Sequence, residues 1–244
     1  MIIRARPQII PTPIVRCAPY RAASLQSSKH HDLPSFLLHA SRESLSKSTT
    51  VYQGTLYEYF VLVALSRLGL HLHRVGGKDD AGIDLQGHWR LPDSTEIPTI
   101  VQCKSLAKAP QPAVIRELEG SLKAAPGALR KGIAILAARK EATKGVRDAM
   151  MKSAVPLAFV KVPMSKDMET EPVVEQCIWN AAAARELLTG LGITVRYDAE
   201  GEGEGIALTW KGKIVEQAVE DKATLAEAVE TAEEDLKEAA QALG

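Results

Sequence analysis

The chain has 244 residues, 45% of them hydrophobic, with 30 basic and 30 acidic side chains and a formal net charge of zero. That is enough for one buried domain of roughly 150 residues with extensions, and no apolar run approaches the ~20 residues that a membrane-crossing helix needs. Its three cysteines, Cys17, Cys103 and Cys177, show no CxxC or CxxH spacing, which argues against a disulfide framework or a zinc site and fits a reducing compartment.

The charge is unevenly spread. Residues 1–48 hold seven basic and two acidic side chains, residues 49–197 hold 19 and 15, and residues 198–244 hold four and 13. Met1 to about Ser48 does not read as a folded element. Arg4, Arg6, Arg16, Arg21 and Lys29 precede the first acid, Asp32, with no long apolar run among them. This is the composition of a mitochondrial transit peptide cleaved somewhere between about residues 22 and 48, or of a retained basic arm.

Ser48, Thr49 and Thr50 offer N-caps for a helix running to about Leu68, where Gly69 stops it. On that helix Glu58 shares a stripe with Val61, Leu62 and Leu65. A carboxylate there is costly unless it is paired, binds a cation or reaches solvent at the helix edge. Gly54, one turn earlier, leaves room for a close approach.

Leu70–Val75 alternates and predicts a strand with His71 and His73 on one face. No third ligand is spaced near this HxH pair, so a partly exposed strand face is expected. Gly76-Gly77 turns the chain, and the loop acids Asp79 and Asp80 read as solvated. Two apolar runs follow, Ile83–Leu85 and Thr99–Cys103, joined by a polar, proline-containing loop. Asp84 sits in the first run and Lys104 ends the second. Gln102 and Lys104 share one face while Cys103 takes the other. If the two strands pair, Asp84 comes across from Gln102, so that a carboxylate, an amide oxygen and an ammonium converge. The oxygens suit a hard divalent cation such as Mg²⁺. The lysine can position an attacking water or offset charge building on a phosphate. His88 either faces that phosphate or simply sits at the strand end.

After Lys104 the expected order is a helix from Pro112 to about Ala124, a buried strand over Gly132–Ala138, a helix from Thr143 to about Ser153 and a strand over Pro156–Val162. The core is then αβββαβαβ, a mixed sheet with helices on both sides. Lys104–Lys152 holds 11 basic against four acidic residues. Arg116, Lys144 and Arg147 on its helices are candidates for phosphate contacts that position nucleic acid, or ordinary surface charges. Beyond a polar linker, Val173–Leu191 reads as a helix with Trp179 in the core. Ile193–Tyr197 reads as a strand, and Ile206–Trp210 and Lys213–Val215 as a hairpin around Lys211-Gly212. Glu220–Leu243 reads as a long acidic helix whose apolar stripe can meet a protein partner.

Gly82-Ile83-Asp84, Gln102-Cys103-Lys104, the glycine-rich turn before them and the helix pattern after them resemble the catalytic core of the Mrr-like branch of the PD-(D/E)xK nuclease superfamily. The likeness runs from about Gly54 to Val162, and that branch's glutamate on the preceding helix is matched by Glu58. With its terminal additions the whole chain resembles the fungal mitochondrial "required for respiratory growth" family. The resemblance implies an α/β fold: a restriction endonuclease-like mixed β-sheet core flanked by helices over 49–162, after a basic arm over 1–48 and before a small C-terminal α+β extension over 163–244. It implies an endonuclease of the mitochondrial matrix that uses Mg²⁺ or Mn²⁺ to hydrolyse DNA in genome maintenance and respiratory growth.

In that reading Asp84 and the Gln102 oxygen ligate the metal, with the Cys103 carbonyl as a third ligand and Glu58 acting directly or through water. Lys104 orients the water or steadies the phosphate. A glutamine brings no charge to the site, which predicts weaker metal binding than a D/E-x-K motif gives. The alternative is a nuclease-fold nucleic-acid-binding protein of the matrix that cuts weakly or not at all. An interaction protein working through the C-terminal helix is a third reading. A homodimer also stays open, since nucleases of this superfamily often work in pairs, whereas no membrane partner is expected.

Overall fold

Six strands form one sheet in the order β1-β2-β3-β4-β5-β6: Leu70–Arg74, Leu85–Arg90, Glu96–Lys104, Ile133–Ala138, Leu157–Lys161 and Gln176–Trp179. The structure is a computed structural model and describes residues 30–75, 82–164, 172–197 and 203–215. The basic segment before His30, the Gly76-Gly77 turn with Asp79 and Asp80, and the acidic helix expected over Glu220–Leu243 lie outside the described residues.

β1, β2 and β3 pair antiparallel as a meander, and β3, β4 and β5 run parallel. Parallel neighbours need a crossover, which α3 (Ala113–Ala124) and α4 (Lys144–Lys152) provide. Both cover one face. Ile115, Leu118 and Leu122 of α3, with Val146 and Met150 of α4, pack on Ile100, Ala134, Leu136 and Phe159. The opposite face carries α2 (Thr50–Ser66), whose Tyr57, Val61, Ala64 and Leu65 pack on Leu85, Val101, Ile135 and Val160. All six residues of β4 are buried, as a strand covered on both faces requires. The mixed sheet flanked by helices and the αβββαβαβ order are as the sequence predicts. Thr49 and Thr143 cap their helices, each accepting from a backbone N–H at 3.2 Å.

The C-terminal part contributes to the same core. β6 pairs antiparallel with β5, and Leu191 and Leu208 join the core under α2. β7 (Leu191–Tyr197), β8 (Gly203–Trp210) and β9 (Lys213–Ile214) make a second sheet of three strands. Lys211 and Gly212 turn that hairpin with φ of 49° and 79°, the left-handed pair a two-residue loop needs. Trp179 packs against the core.

Four expectations are corrected. Val173–Leu191 is not one helix but β6 followed by the short α5 (Ala181–Glu186). The break is Asn180, which is 1% exposed and accepts from Leu157 N at 3.1 Å and Ala183 N at 3.0 Å through Oδ1. Its Nδ2 donates to Val155 O at 2.8 Å, so one amide caps α5 and ties α4 to β5. The first strand of the Asp84 hairpin is Leu85–Arg90, so Asp84 precedes the strand rather than lying within it. A Cβ at Gly54 would meet nothing within 4 Å, so no close approach requires that glycine.

The fourth correction is α1 (Leu33–Arg42), inside the segment expected to be unfolded. Asp32 caps it with a capping box to Ser35. Its Leu33, Phe36 and Ala40 are buried against Tyr52, Leu56, Tyr59 and Phe60 of α2, and His30 Nδ1 lies 2.7 Å from the Tyr59 hydroxyl. A processed chain that lost this helix would expose that cluster. N-terminal sequencing of the organellar protein should therefore begin between Arg21 and His30, narrower than composition alone allows. Phe36→Ala should lower stability by about 3 kcal/mol in urea unfolding. A mature chain that starts after Arg42, or a Phe36→Ala protein as stable as the wild type, would show that α1 is not part of the fold.

Candidate functional site

The register of β2 on β3 ends at Leu85↔Val101, while β3 continues through Gln102 and Cys103 to Lys104. Asp84 occupies the place where the two strands part. Its N–H donates to Val101 O and its carbonyl accepts from Val75 N, both at 2.9 Å. Its carboxylate Oδ2 accepts from Cys103 N at 2.6 Å, filling the ladder position that β2 no longer supplies. Asp84 is thereby tied to the backbone of the QxK segment.

Alternation along β3 divides the other groups. Val101 and Cys103 face α2, whereas Ile100 and Gln102 face α3. Gln102 is 4% exposed, and its Oε1 has no hydrogen-bond partner among the described residues. A buried carbonyl oxygen without a donor is costly and calls for an explanation. It lines a cleft of about 380 Å³ with Gly82, Glu117, Gly120, Ser121 and Ala124. Lys104, on the same strand face, has its Nζ 3.8 Å from Glu117 Oε2.

Glu58 comes from the other side. It ion-pairs with Arg74 of β1, the two side chains being 14% and 22% exposed. The partly buried Cys103 thiol between these groups is pushed well above its usual pKa by burial, with the charges of Asp84 and Glu58 adding and those of Arg74 and Lys104 opposing. It stays a neutral thiol at physiological pH. The structure thus sets Asp84 beside the QxK backbone, and places Gln102 and Lys104 on the α3 side and Glu58 on the α2 side. The cleft that Gln102 lines is not lined by Glu58.

The oxygens of Asp84, Gln102 and the Cys103 carbonyl are hard donors of the kind Mg²⁺ or Mn²⁺ takes, and the orphaned Gln102 Oε1 is the observation that favours a cation there. No group of three His, Cys, Asp or Glu side chains stands at metal-binding distance among the described residues, so a site built from those residues mixes carboxylate with amide or backbone oxygen. The histidines of the β1–β2 face engage one another and their neighbours: His71 stacks on His88 at 5.1 Å, and His73 Nε2 is 3.2 Å from the Gln86 amide nitrogen. Among the basic candidates, Arg116 is exposed on α3. Lys144 pairs with Asp148 at 2.8 Å, and Arg147 donates to Ala142 O at 2.7 Å.

Three residues escape the sequence reading. Arg74 shares strand parity with Leu70 and Leu72, so an arginine on the core face signalled a buried acidic partner. Glu117 and Ser121 stand at i and i+4 on α3, with Gly120 between them at i+3, one face of one helix.

Comparison with known proteins agrees with one part of the resemblance. The family model of required for respiratory growth protein 7 matches residues 49–99 and 92–197, more than half of the chain. An uncharacterised mitochondrial protein of Schizosaccharomyces pombe is 38% identical over 138 residues, covering 56% of this chain and 55% of its own length. The mitochondrial required for respiratory growth protein 7 of Vanderwaltozyma polyspora is 26% identical over 198 residues, covering 60% of this chain and 79% of that protein. Its Kluyveromyces lactis counterpart is 29% identical over 164 residues, covering 51% and 70%. The chain spans about half the length of the fission-yeast relative. No solved structure matches the chain significantly.

The Glu58–Arg74 pair generates a structural prediction. Glu58→Ala leaves a largely buried guanidinium without its counter-charge and should cost about 1–3 kcal/mol in chemical denaturation. Adding Arg74→Leu should recover part of the loss, because the unpaired charge is then gone. Equal stability of Glu58→Ala and wild type would mean that the pair does not hold α2 to β1.

Proposed function

The chain belongs to the family of required for respiratory growth protein 7 and is a mitochondrial protein; from that premise we propose that it hydrolyses DNA phosphodiester bonds with a divalent metal, in the manner of the Mrr-like nucleases whose motif it resembles. The observation that carries this reading is the buried Gln102 Oε1, without a hydrogen-bond donor among the described residues and next in sequence to the Cys103 N–H that holds Asp84. Mg²⁺ or Mn²⁺, when bound, would polarise the phosphate and lower the pKa of the attacking water. Asp84 and Gln102 would hold it with the Cys103 carbonyl, and Glu58, already paired with Arg74, would reach it through water. Lys104 holds its ammonium on the Gln102 face of β3, where it can orient the water or meet charge developing on the phosphate. Matrix location, a role in mitochondrial genome maintenance and cleavage of both strands by a homodimer are parts of the same proposal.

A second reading, binding of nucleic acid without cutting, is favoured by one feature. Both charged members of the motif are already engaged, Asp84 by Cys103 N and Lys104 by Glu117.

A cleavage panel decides between them: linear, branched and damaged DNA, and RNA, each with Mg²⁺, Mn²⁺ or EDTA. The nuclease reading expects cleavage that EDTA stops and that Asp84→Asn abolishes. Lys104→Ala should retain binding and slow cleavage ~100-fold or more, and Gln102→Glu should keep or raise activity. Binding that weakens steeply with salt and modestly in Arg116→Ala, with no cleavage under any condition, would establish the second reading instead.

A further inference from the structure

We propose that Glu117 of α3 supplies the carboxylate that the QxK motif lacks, so that a divalent cation is held on the α3 side of β3 by Glu117 and Gln102 Oε1. This rests on the metal-dependent reading above and changes its second acid.

Gln102 first fixes the side. Its amide oxygen is buried, lacks a donor among the described residues and lines the cleft on the α3 face. A cation satisfies such an oxygen, whereas an empty cleft leaves its desolvation uncompensated. Glu117 lines the same cleft, and its carboxylate lies 3.8 Å from Lys104 Nζ, the next side chain after Gln102 on that face. Ser121 follows one turn on. Its hydroxyl donates to Glu117 O at 3.1 Å, which ties that side chain to the Glu117 backbone. Gly82, Gly120 and Ala124, the smallest of the described lining residues, leave the cleft open beside them.

Every donor in this set is an oxygen, one of them charged, which is the chemistry of Mg²⁺ or Mn²⁺ rather than zinc or copper. Glu58 is the poorer candidate for the second acid, because Arg74 neutralises it and it approaches from the α2 face. The pairing of Glu117 with Lys104 has a further consequence. Were Glu117 engaged by a cation, Lys104 would lose its partner and its ammonium could meet a phosphate, which would couple metal and substrate through one side chain.

The test is a MnCl₂ titration of the full chain by calorimetry, with the rise in melting temperature on adding MnCl₂ as a second readout. The Glu117 side chain is 58% exposed, so Glu117→Gln should fold as the wild type does. Expected is a loss of Mn²⁺ affinity of about 10-fold or more in Glu117→Gln, with Glu119→Gln on the same helix unchanged. Adding Gln102→Glu to Glu117→Gln should restore the affinity, since the charge returns on the neighbouring ligand. If Asp84→Asn loses Mn²⁺ while Glu117→Gln binds as tightly as wild type, the inference is overturned and the metal-dependent reading survives. A double variant no tighter than Glu117→Gln also overturns it, because the two groups then do not serve one ion. A wild-type chain that binds no Mn²⁺ overturns both.

Discussion

The hydrogen bond from Cys103 N to the Asp84 carboxylate closes the sheet at the point where β2 stops and β3 continues. Without it, the Cys103 N–H would face the gap between two diverging strands. A carboxylate in that position does what a further residue of β2 would otherwise do, and more strongly, because its acceptor is charged. Asp84 is thereby held by β3 through side chain and backbone, and through its carbonyl by Val75, the residue that follows β1. The two halves of the motif, 18 positions apart in sequence, become one rigid unit.

Around that unit the two faces of β3 carry different pairs. The α2 face has Glu58 with Arg74, and the α3 face has Lys104 with Glu117. Each pair stands where a large apolar core gives out at the end of the sheet: Tyr57, Leu85 and Val101 on one side, Ile100 and Leu118 on the other. Apolar packing fixes the distance of both helices from the sheet. The charges at the helix edges are therefore positioned by the packing itself, and the proposed work on a phosphate would draw on that arrangement.

The sequence made the order of elements along the core and most strand positions legible, because alternation and buried runs mark strands that must bury one face or two. Thr49, Thr143 and the Lys211-Gly212 turn were legible for local reasons, a side-chain acceptor at a helix start and a left-handed pair in a hairpin. What failed depended on tertiary partners. Ala181–Ala184 reads as strong helix former, yet Asn180 cuts the run because its amide is needed by Leu157 and Val155 elsewhere in the sheet. α1 was obscured by the basic composition before it, although Asp32 and Pro34 were ordinary helix-start signals. In the candidate site, Asp84, Gln102 and Lys104 stood out through spacing. Glu117 did not, because its relevance comes from α3 folding back over β3, which no local pattern shows.

The glycine of the GID segment joins these observations. Gly82 has φ of +77°, a conformation that side-chain-bearing residues rarely adopt. A Cβ there would stand 2.9 Å from Gln102 Nε2 and 3.5 Å from Ser121 Oγ. Any larger residue would press on the Gln102 amide and intrude on the cleft it lines. The glycine therefore serves the glutamine across the strands as well as the turn it occupies. Asp84 binds the backbone of the QxK segment while Gly82, two residues earlier, makes space for its side chain. The spacing of GID is set by this double contact: the aspartate has to reach the edge of β3, and the position two residues earlier passes over the face where Gln102 stands.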